Sequence, residues 1–420
     1  MKKWEVKKLD EVCEFGNGLW TGKKPPFIKV GVIRNTNFTK DCQLDDSDIA
    51  YLDVERSQFA NRKLQYGDIV LEKSGGGPKQ PVGRVVIFDK QEGNFSFSNF
   101  TSIVRVKNKS QLDFRYLHKY LFNAYLSGIT EKMQSHSTGI RNLKFDAYKQ
   151  ITIPIPPLPE QQRIVSMLDE SFAAVAAAKE NTERNLVNAR ELFDSYVESI
   201  FAKSSKEWEE KKLGDKEIIE IIDNDRGVNY PKKSDFHAEG YCLFMNTKNV
   251  RPDGFEFTTT MFITEKKDKA LNKGKLSRND VVMTTRGTIG NLGIYNDKVE
   301  YEHVRINSGM LIFRPNLKYI VPEYLFGILQ SGIIKSQIKK HVSGAAQPQL
   351  PIKTLVSFTF PLPKSIAEQR AIVAKLDALS AETKRLEEIY ERKVDGLEEL
   401  KRSVLGRVFD PHPPSPKSDS

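Results

Sequence analysis

The sequence is poor in cysteine and histidine, with three cysteines (Cys13, Cys42, Cys242) and six histidines among 420 residues. The cysteines are odd in number and widely spaced. They read as free thiols of a reducing, cytoplasmic compartment and not as a disulfide framework. No H-x-x-x-H pair or Cys/His cluster occurs, so no metal site is expected. No stretch approaches 18 consecutive apolar residues, which argues against a membrane-spanning helix. The charged start MKKWEVKKLDEVCEF lacks the apolar core of a signal peptide. The glycine-rich segment SGGGPKQPVG (74–83) lacks the Lys-Ser/Thr ending of a P-loop, and FGNG (15–18) lacks the strand–turn–helix setting of a cofactor fingerprint.

What is present is positive charge and repetition. The formal net charge is +10 and it is unevenly spread. Residues 1–159 carry 25 Lys/Arg against 17 Asp/Glu, and 204–365 carry 25 against 19. Residues 160–203 are acidic, with 5 against 8, and 366–409 are balanced at 9 and 9. Two basic blocks suggest two surfaces for a polyanion.

Each block opens on a Trp and a lysine run, WEVKKL at 4–9 and WEEKKL at 208–213. Each then contains a strand-like phrase with an aspartate, LQYGDIVLEKSGGG (64–77) and LSRNDVVMTTRGTIG (276–290). A β-rich stretch follows, FSNFTSIVRVKN (97–108) against HVRINSGMLIFRPN (303–316), and then a short helix, DFRYLHKYLFNAYLSG (113–128) against VPEYLFGILQSG (321–332). A polar loop comes next, SHSTGIRNL (135–143) against HVSGAAQPQL (341–350). Both blocks end in a proline-rich phrase running into a helix, PIPPLPEQQRIVSMLD (154–169) and PLPKSIAEQRAIVAKLD (361–377). A repeat this long signals duplicated domains and not a solenoid.

The segments after the prolines carry apolar residues at alternating spacings of three and four. The first stripe runs Val165, Leu168, Phe172, Val175, Leu186, Ala189, Phe193, Tyr196, Ile200, with Lys179 and Thr182 as breaks. The second runs Ile372, Leu376, Leu379, Leu386, Tyr390, Leu397, Leu400, Val404, broken at Thr383 and Lys393. This is an a/d heptad pattern, and two such helices in one chain can satisfy each other as a coiled coil. The expected domains are therefore 1–159, a helix over 160–203, 204–365, a helix over 366–409, and a disordered tail 410–420.

This ordered, duplicated set of motifs resembles the specificity subunit of type I restriction–modification enzymes over 1–409. The resemblance implies an α+β fold class: two repeated α/β DNA target recognition domains separated by two long antiparallel coiled-coil helices, related by a pseudo-twofold. It further implies that each domain reads one half of a split double-stranded DNA target and that the helices set the gap. Two methyltransferase subunits would dock on the chain, and restriction subunits acting as ATP-dependent translocase and nuclease would join them. S-adenosylmethionine, ATP and Mg would then belong to the partners, with no active site here. A methylation-only or other phage-defence system could use the same subunit. In keeping with this, no (N/D/S)PP(Y/F) tetrapeptide of an adenine methyltransferase occurs. Asp253, Glu265 and Lys267 match a loose PD…ExK spacing, and a self-contained Mg-dependent nuclease is the alternative from another class.

Arg suits guanine, Asn and Gln suit adenine, and small polar groups suit phosphate. In the first block the candidates are Lys73, Ser74, Lys79, Gln80 and Arg84 around Gly75–Gly77, with Gly75 and Gly76 allowing close backbone approach. Ser137, Arg141 and Asn142 stand behind them. In the second block they are Thr285, Arg286, Thr288 and Asn291, with Arg305, Asn307, Gln347 and Gln349.

Overall fold

The computed structural model describes residues 4–20, 24–77, 80–137, 140–203, 208–252, 254–341 and 349–409, without the side chains of 136, 137, 202 and 203. The chain divides into two compact units, 1–183 with 392–420 and 184–391. The two long helices, Leu158–Lys203 and Ile366–Phe409, each contribute a segment to both units.

The first unit is built on a four-stranded antiparallel sheet in the order Cys13–Asn17, Thr101–Val106, Ile69–Glu72, Val85–Ile87. A three-stranded sheet, Ala50–Glu55, Phe27–Ile33, Phe95–Phe97, lies beside it, its last pair parallel. The second unit repeats the order with Ile219–Ile222, Met310–Pro315, Asp280–Thr284, Leu292–Tyr295. Its three-stranded sheet is Phe262–Ile263, Cys242–Met245, Val304–Ile306, again with a parallel last pair. The apolar residues of IVL and VVM fill both sheet faces, which is why these strands read as continuous hydrophobic runs.

The repeated phrases prove to be structural joints. The aspartate of GDIV, Asp68, is buried and takes both arms of Arg105, at 2.7 and 2.6 Å. Asp280 of NDVV takes Arg314 in the same way, at 2.9 and 2.8 Å. Each carboxylate also accepts a main-chain N–H three residues upstream, Gln65 and Ser277, both at 2.7 Å. Gly67 and Asn279 precede them at φ 87° and 78°, a left-handed turn that Gly adopts freely and Asn tolerates.

The lysine runs are edge strands. Glu5–Lys8 pairs antiparallel with Thr152–Ile155, and Glu209–Lys212 with Thr359–Leu362. The proline carbonyls, which need partners, receive tyrosine hydroxyls: Tyr116 donates to Pro154 O at 2.9 Å and Tyr324 to Pro361 O at 2.7 Å. The glutamine of each EQ phrase is fully buried. Gln161 donates to Gln111 O and Pro156 O and accepts from Asp113 N, at 2.8, 2.7 and 2.8 Å. Gln369 donates to Tyr319 O and Pro363 O and accepts from Val321 N, at 2.9, 2.9 and 2.8 Å. One side chain thus ties the exit strand, the helix start and the cap of the preceding short helix.

Within each unit the long-helix segments pair antiparallel. In the first, Lys179 meets Glu398 at 2.5 Å while Val165 and Leu168 share a core with Leu405 and Phe409. In the second, Arg190 meets Glu387 at 2.6 Å while Val197 and Phe201 share a core with Ile372. Two stripe positions differ from the heptad expectation. Tyr196 and Leu400 are 42% and 49% exposed, and their C-terminal neighbours Val197 and Lys401 take the inner positions. An α-helix turns every 3.6 residues, so a strict 3.5-residue stripe drifts off the contact by about 20° per heptad. Lys401 fits because its ammonium lies over the Phe122 and Phe172 rings and reaches Asp41 at 2.5 Å. No helix among the described residues is long and apolar enough to cross a membrane.

Candidate nucleic-acid interface

In both units the strand after the buried aspartate leaves the sheet into a glycine-containing loop, and the polar loop before the exit strand brackets it. In the first unit Lys73 N and Ser74 N donate to Phe100 O at 3.0 and 3.1 Å, and Leu143 N donates to Lys73 O at 2.8 Å. The Ser74 hydroxyl reaches Asn142 Oδ1 at 2.5 Å. In the second unit Thr285 N donates to Gly309 O at 2.7 Å and Leu350 N to Thr285 O at 3.1 Å, while Arg286 bridges to Gln349. The structure thus brings Ser74 to Asn142 and Arg286 to Gln349, residues far apart in sequence at equivalent positions.

Of the expected residues, Gln80, Arg286, Thr288 and Gln349 are exposed, and Lys73, Ser74, Gly76, Arg141 and Asn142 are partly so. Gly75 sits at φ 97°, where its missing Cβ would lie 3.0 Å from Asn35 Nδ2. A side chain at Gly76 would meet Gln80 O at 2.7 Å, so these glycines serve turn closure as well as access. Lys73 Nζ donates to Asn17 Oδ1 at 2.7 Å, and partial burial lowers its pKa from the ordinary lysine value. Arg141 lies 3.3 Å from Glu131. Lys79 and Gln347 lie outside the described residues, as does the side chain of Ser137.

Two arginines are corrected. Arg84 is buried: Nε and Nη2 hold Glu72 at 2.8 and 2.7 Å, and Nη1 donates to Phe38 O at 2.6 Å. With its amide oxygen inward, Gln80 accepts from Nη2 at 2.8 Å. Burial works against the charge, but the Glu72 carboxylate outweighs it and raises the Arg84 pKa. Arg305 is likewise buried on Asp268 at 2.5 Å, with Lys273 O at 2.6 Å and Leu271 O at 3.0 Å. Neither guanidinium is available to a ligand.

Three further residues are occupied internally. Thr285 is buried with its hydroxyl on Gly309 O at 3.2 Å, and Asn307 Oδ1 accepts from Gly309 N at 2.9 Å. Asn291 Nδ2 donates to Val250 O at 2.9 Å, and Asn291 N donates to the Thr284 hydroxyl at 3.0 Å. That hydroxyl donates onward to Thr288 O. Thr284 and Asn291 therefore close the base of the second loop where Glu72 and Arg84 close the first. Glu265 pairs with Lys269 at 2.8 Å and Lys267 with Asp235 at 3.0 Å, Asp253 lies outside the described residues, and no acidic or His/Cys group suited to a metal occurs among them.

Sequence reasoning missed the loop that props each candidate surface. IRNTNF (33–38) and MNTKNV (245–250) form matching turns whose buried asparagines, Asn37 and Asn249, each donate to two main-chain carbonyls. In the first turn Asn35 Nδ2 reaches Ser74 O at 2.6 Å. Aligned on those asparagines, the phrases share only an Asn directly before an apolar residue, Asn37-Phe38 and Asn249-Val250. Two aromatics were also missed. Trp20 is 67% and Phe100 45% exposed, and the Phe100 carbonyl accepts from Lys73 N.

A family model described as the type I restriction modification DNA specificity domain matches residues 1–188 and again 205–392. The specificity subunit assigned to the type I restriction enzyme MjaX of Methanocaldococcus jannaschii is 22% identical over 97% of this chain and 92% of its own length. A solved structure described as showing complex assembly and conformational transition of the type I R-M system superposes with TM-score 0.74 at 17% identity, covering 97% of this chain and 98% of the other. The HsdS subunit from Thermoanaerobacter tengcongensis superposes at 0.61 and 18% identity, covering 98% and 97%.

Proposed function

The chain belongs to the type I restriction modification DNA specificity family, and from that premise we propose that each unit reads one half of a bipartite double-stranded DNA target through its bracketed loop. The observation that carries this reading is the equivalent pairing of Ser74 with Asn142 and of Arg286 with Gln349, one polar loop per basic block. Lys73, Gln80 and Arg141 in the first unit and Arg286, Thr288 and Gln349 in the second are the residues for phosphate and base edges. Main-chain N–H groups of the loops add anion contacts.

The buried pairs Glu72–Arg84 and Thr284–Asn291 act one layer back, holding the loops in shape before DNA arrives. Preorganised donors spare the ordering cost on binding. The long helices set the gap between half-sites and present polar faces to two methyltransferase subunits, through which restriction subunits join. S-adenosylmethionine, ATP and Mg act in those partners, and this chain supplies recognition without a reacting group.

Methylome sequencing of cells carrying the chain with its methyltransferase tests the reading. A motif of two short blocks around a fixed gap is expected, and a single continuous motif would overturn it. Each phosphate contact contributes a slope of about −0.9 in log K against log salt, so binding should weaken steeply with salt. Cleavage of DNA by the purified chain with Mg alone would refute the non-catalytic role.

A further inference from the structure

We propose that Lys335 and Lys339 form a ridge that holds the DNA phosphate backbone beside the loop carrying Arg286 and Thr288. The inference rests on the reading that this loop meets duplex DNA, and it adds a helix to a surface otherwise built of loops.

The ridge lies on the helix Gly332–His341, GIIKSQIKKH, whose inner face is fixed by three side chains. Ile334 is fully buried. Ile338 Cδ1 lies 3.8 Å from where a Cβ on Gly290 would stand, and Ile289, Ile333 and Ile338 pack against one core. Gln337 ties the other flank to the exit strand. Its Nε2 donates to Thr359 O at 2.9 Å, and its Oε1 accepts from Thr359 N at 3.0 Å. Gly290 N in turn donates to Thr284 O at 2.9 Å and closes the loop. The candidate loop is therefore seated against this helix.

Helix geometry then sorts the lysines. Successive residues turn by about 100°. From Ile334 the surface turns one way through Ile338 to Lys335 and Lys339, and the other way through Gln337 to Lys340. Lys335 and Lys339 thus stand on the flank nearer the candidate loop, about 6 Å apart along the axis. Lys340 stands on the flank nearer Thr359. All three are exposed, and none has an ion pair among the described residues. Like charges one turn apart repel. The negative end of the helix favours the cations of the last turn, which are Lys339, Lys340 and His341, but it does not account for Lys335. A phosphate strand alongside gives both members of the ridge a counter-charge, and a helix presents them without a loop to order. The first unit differs. Its short helix is followed by a single turn, Glu131–Met133, in which Glu131 pairs with Arg141 at 3.3 Å. The ridge belongs to the second half of the target alone.

The test uses the full chain purified with its methyltransferase and a duplex carrying the sequence found methylated in cells. Glutamine keeps the helix propensity of lysine and removes its charge. K335Q/K339Q should reduce the slope of log K against log salt by about 1.8, at about 0.9 per phosphate contact, with the urea unfolding midpoint unchanged. K335R/K339R and K340Q should both keep the wild-type slope. Phosphates carry no sequence information, so cells carrying K335Q/K339Q should methylate the wild-type motif. An unchanged slope in K335Q/K339Q, with wild type still salt- and sequence-dependent, overturns the ridge alone, whether or not the midpoint moves. An equal drop per residue in K340Q also overturns it, because net charge would then be the cause, and a changed motif overturns it in favour of base reading. Should the double variant fail to fold, K335Q and K339Q singly should each lower the slope by about 0.9, and unchanged slopes overturn the proposal. If wild type itself shows no salt-dependent, sequence-dependent binding, the DNA-recognition reading falls and the ridge with it.

Discussion

Removing Arg84 separates two physical roles for one residue. An arginine on a glycine-rich basic loop reads as a phosphate contact, yet the structure buries its guanidinium on Glu72, with Phe38 O and Gln80 as further partners. Arg84→Ala would leave the Glu72 carboxylate, itself buried, without its counter-charge. Stranding one member of a buried pair costs about 3–5 kcal/mol, a large share of the roughly 5–15 kcal/mol that holds a domain together. The assay is urea unfolding of the DNA-free chain, followed by a probe in the first unit. A drop in midpoint for Arg84→Ala is expected. Partial or full recovery is expected in Arg84→Met with Glu72→Leu, which removes both charges. A surface phosphate contact would behave oppositely: midpoint unchanged, and the salt slope of DNA binding reduced by about 0.9. That second pattern would refute the internal role.

His118 gives a pH signature. It is buried, and Nε2 donates to Cys42 O at 2.9 Å while burial pushes its pKa from 6.5 down to about 4. The unfolded chain takes up this proton below pH 6.5 and the folded one does not, so stability falls between pH 6.5 and 4, by about 3 kcal/mol over that window. His118→Asn should remove that part of the pH dependence in urea midpoints measured at pH 7 and 4.5, and an identical dependence would refute it. Gln161→Ala strands Asp113 N–H and two carbonyls and should cost about 2–4 kcal/mol, with Gln369→Ala matching it in the second unit. Loss below 0.5 kcal/mol in unfolding would deny the clamp. Arg286→Ala should flatten the salt dependence of DNA binding without moving the unfolding midpoint, and a lowered midpoint would place it with Arg84.

The repeat was legible because its joints are made of residue types with few alternative uses. A buried Asp beside Gly or Asn, an edge strand of Glu followed by paired lysines, and EQ after proline each have few local solutions. What composition cannot reveal is the partner of a charge. Arg84 and Arg286 sit in equally basic, glycine-containing loops, but Arg84 has Glu72 directly across the hairpin and Arg286 has no acid in that position. The glutamate in LEKSGGG was the visible warning. The helical stripes were read correctly to within one residue, and the slip at Tyr196 and Leu400 came from imposing the 3.5-residue period on a 3.6-residue helix. Trp20 carried no signal because a lone aromatic among turn residues is as readily core as surface.

The pairing of Glu5–Lys8 with Thr152–Ile155, and of Glu209–Lys212 with Thr359–Leu362, has a consequence for inheritance. Chain entry and chain exit of each recognition domain lie side by side, joined mainly by backbone hydrogen bonds that tolerate many side chains. A domain is therefore a cassette. Genetic exchange with crossovers in the two short strands transplants a complete folding unit, leaves the glutamine clamp in place, and delivers a new half-target in one step. A crossover between codons 72 and 84 that joined the two kinds of loop would instead set the Glu72 carboxylate against an asparagine, the counterpart of Asn291, and strand it. Recombination is thus channelled to the ends of each domain, and the interior of the reading surface changes by paired substitution.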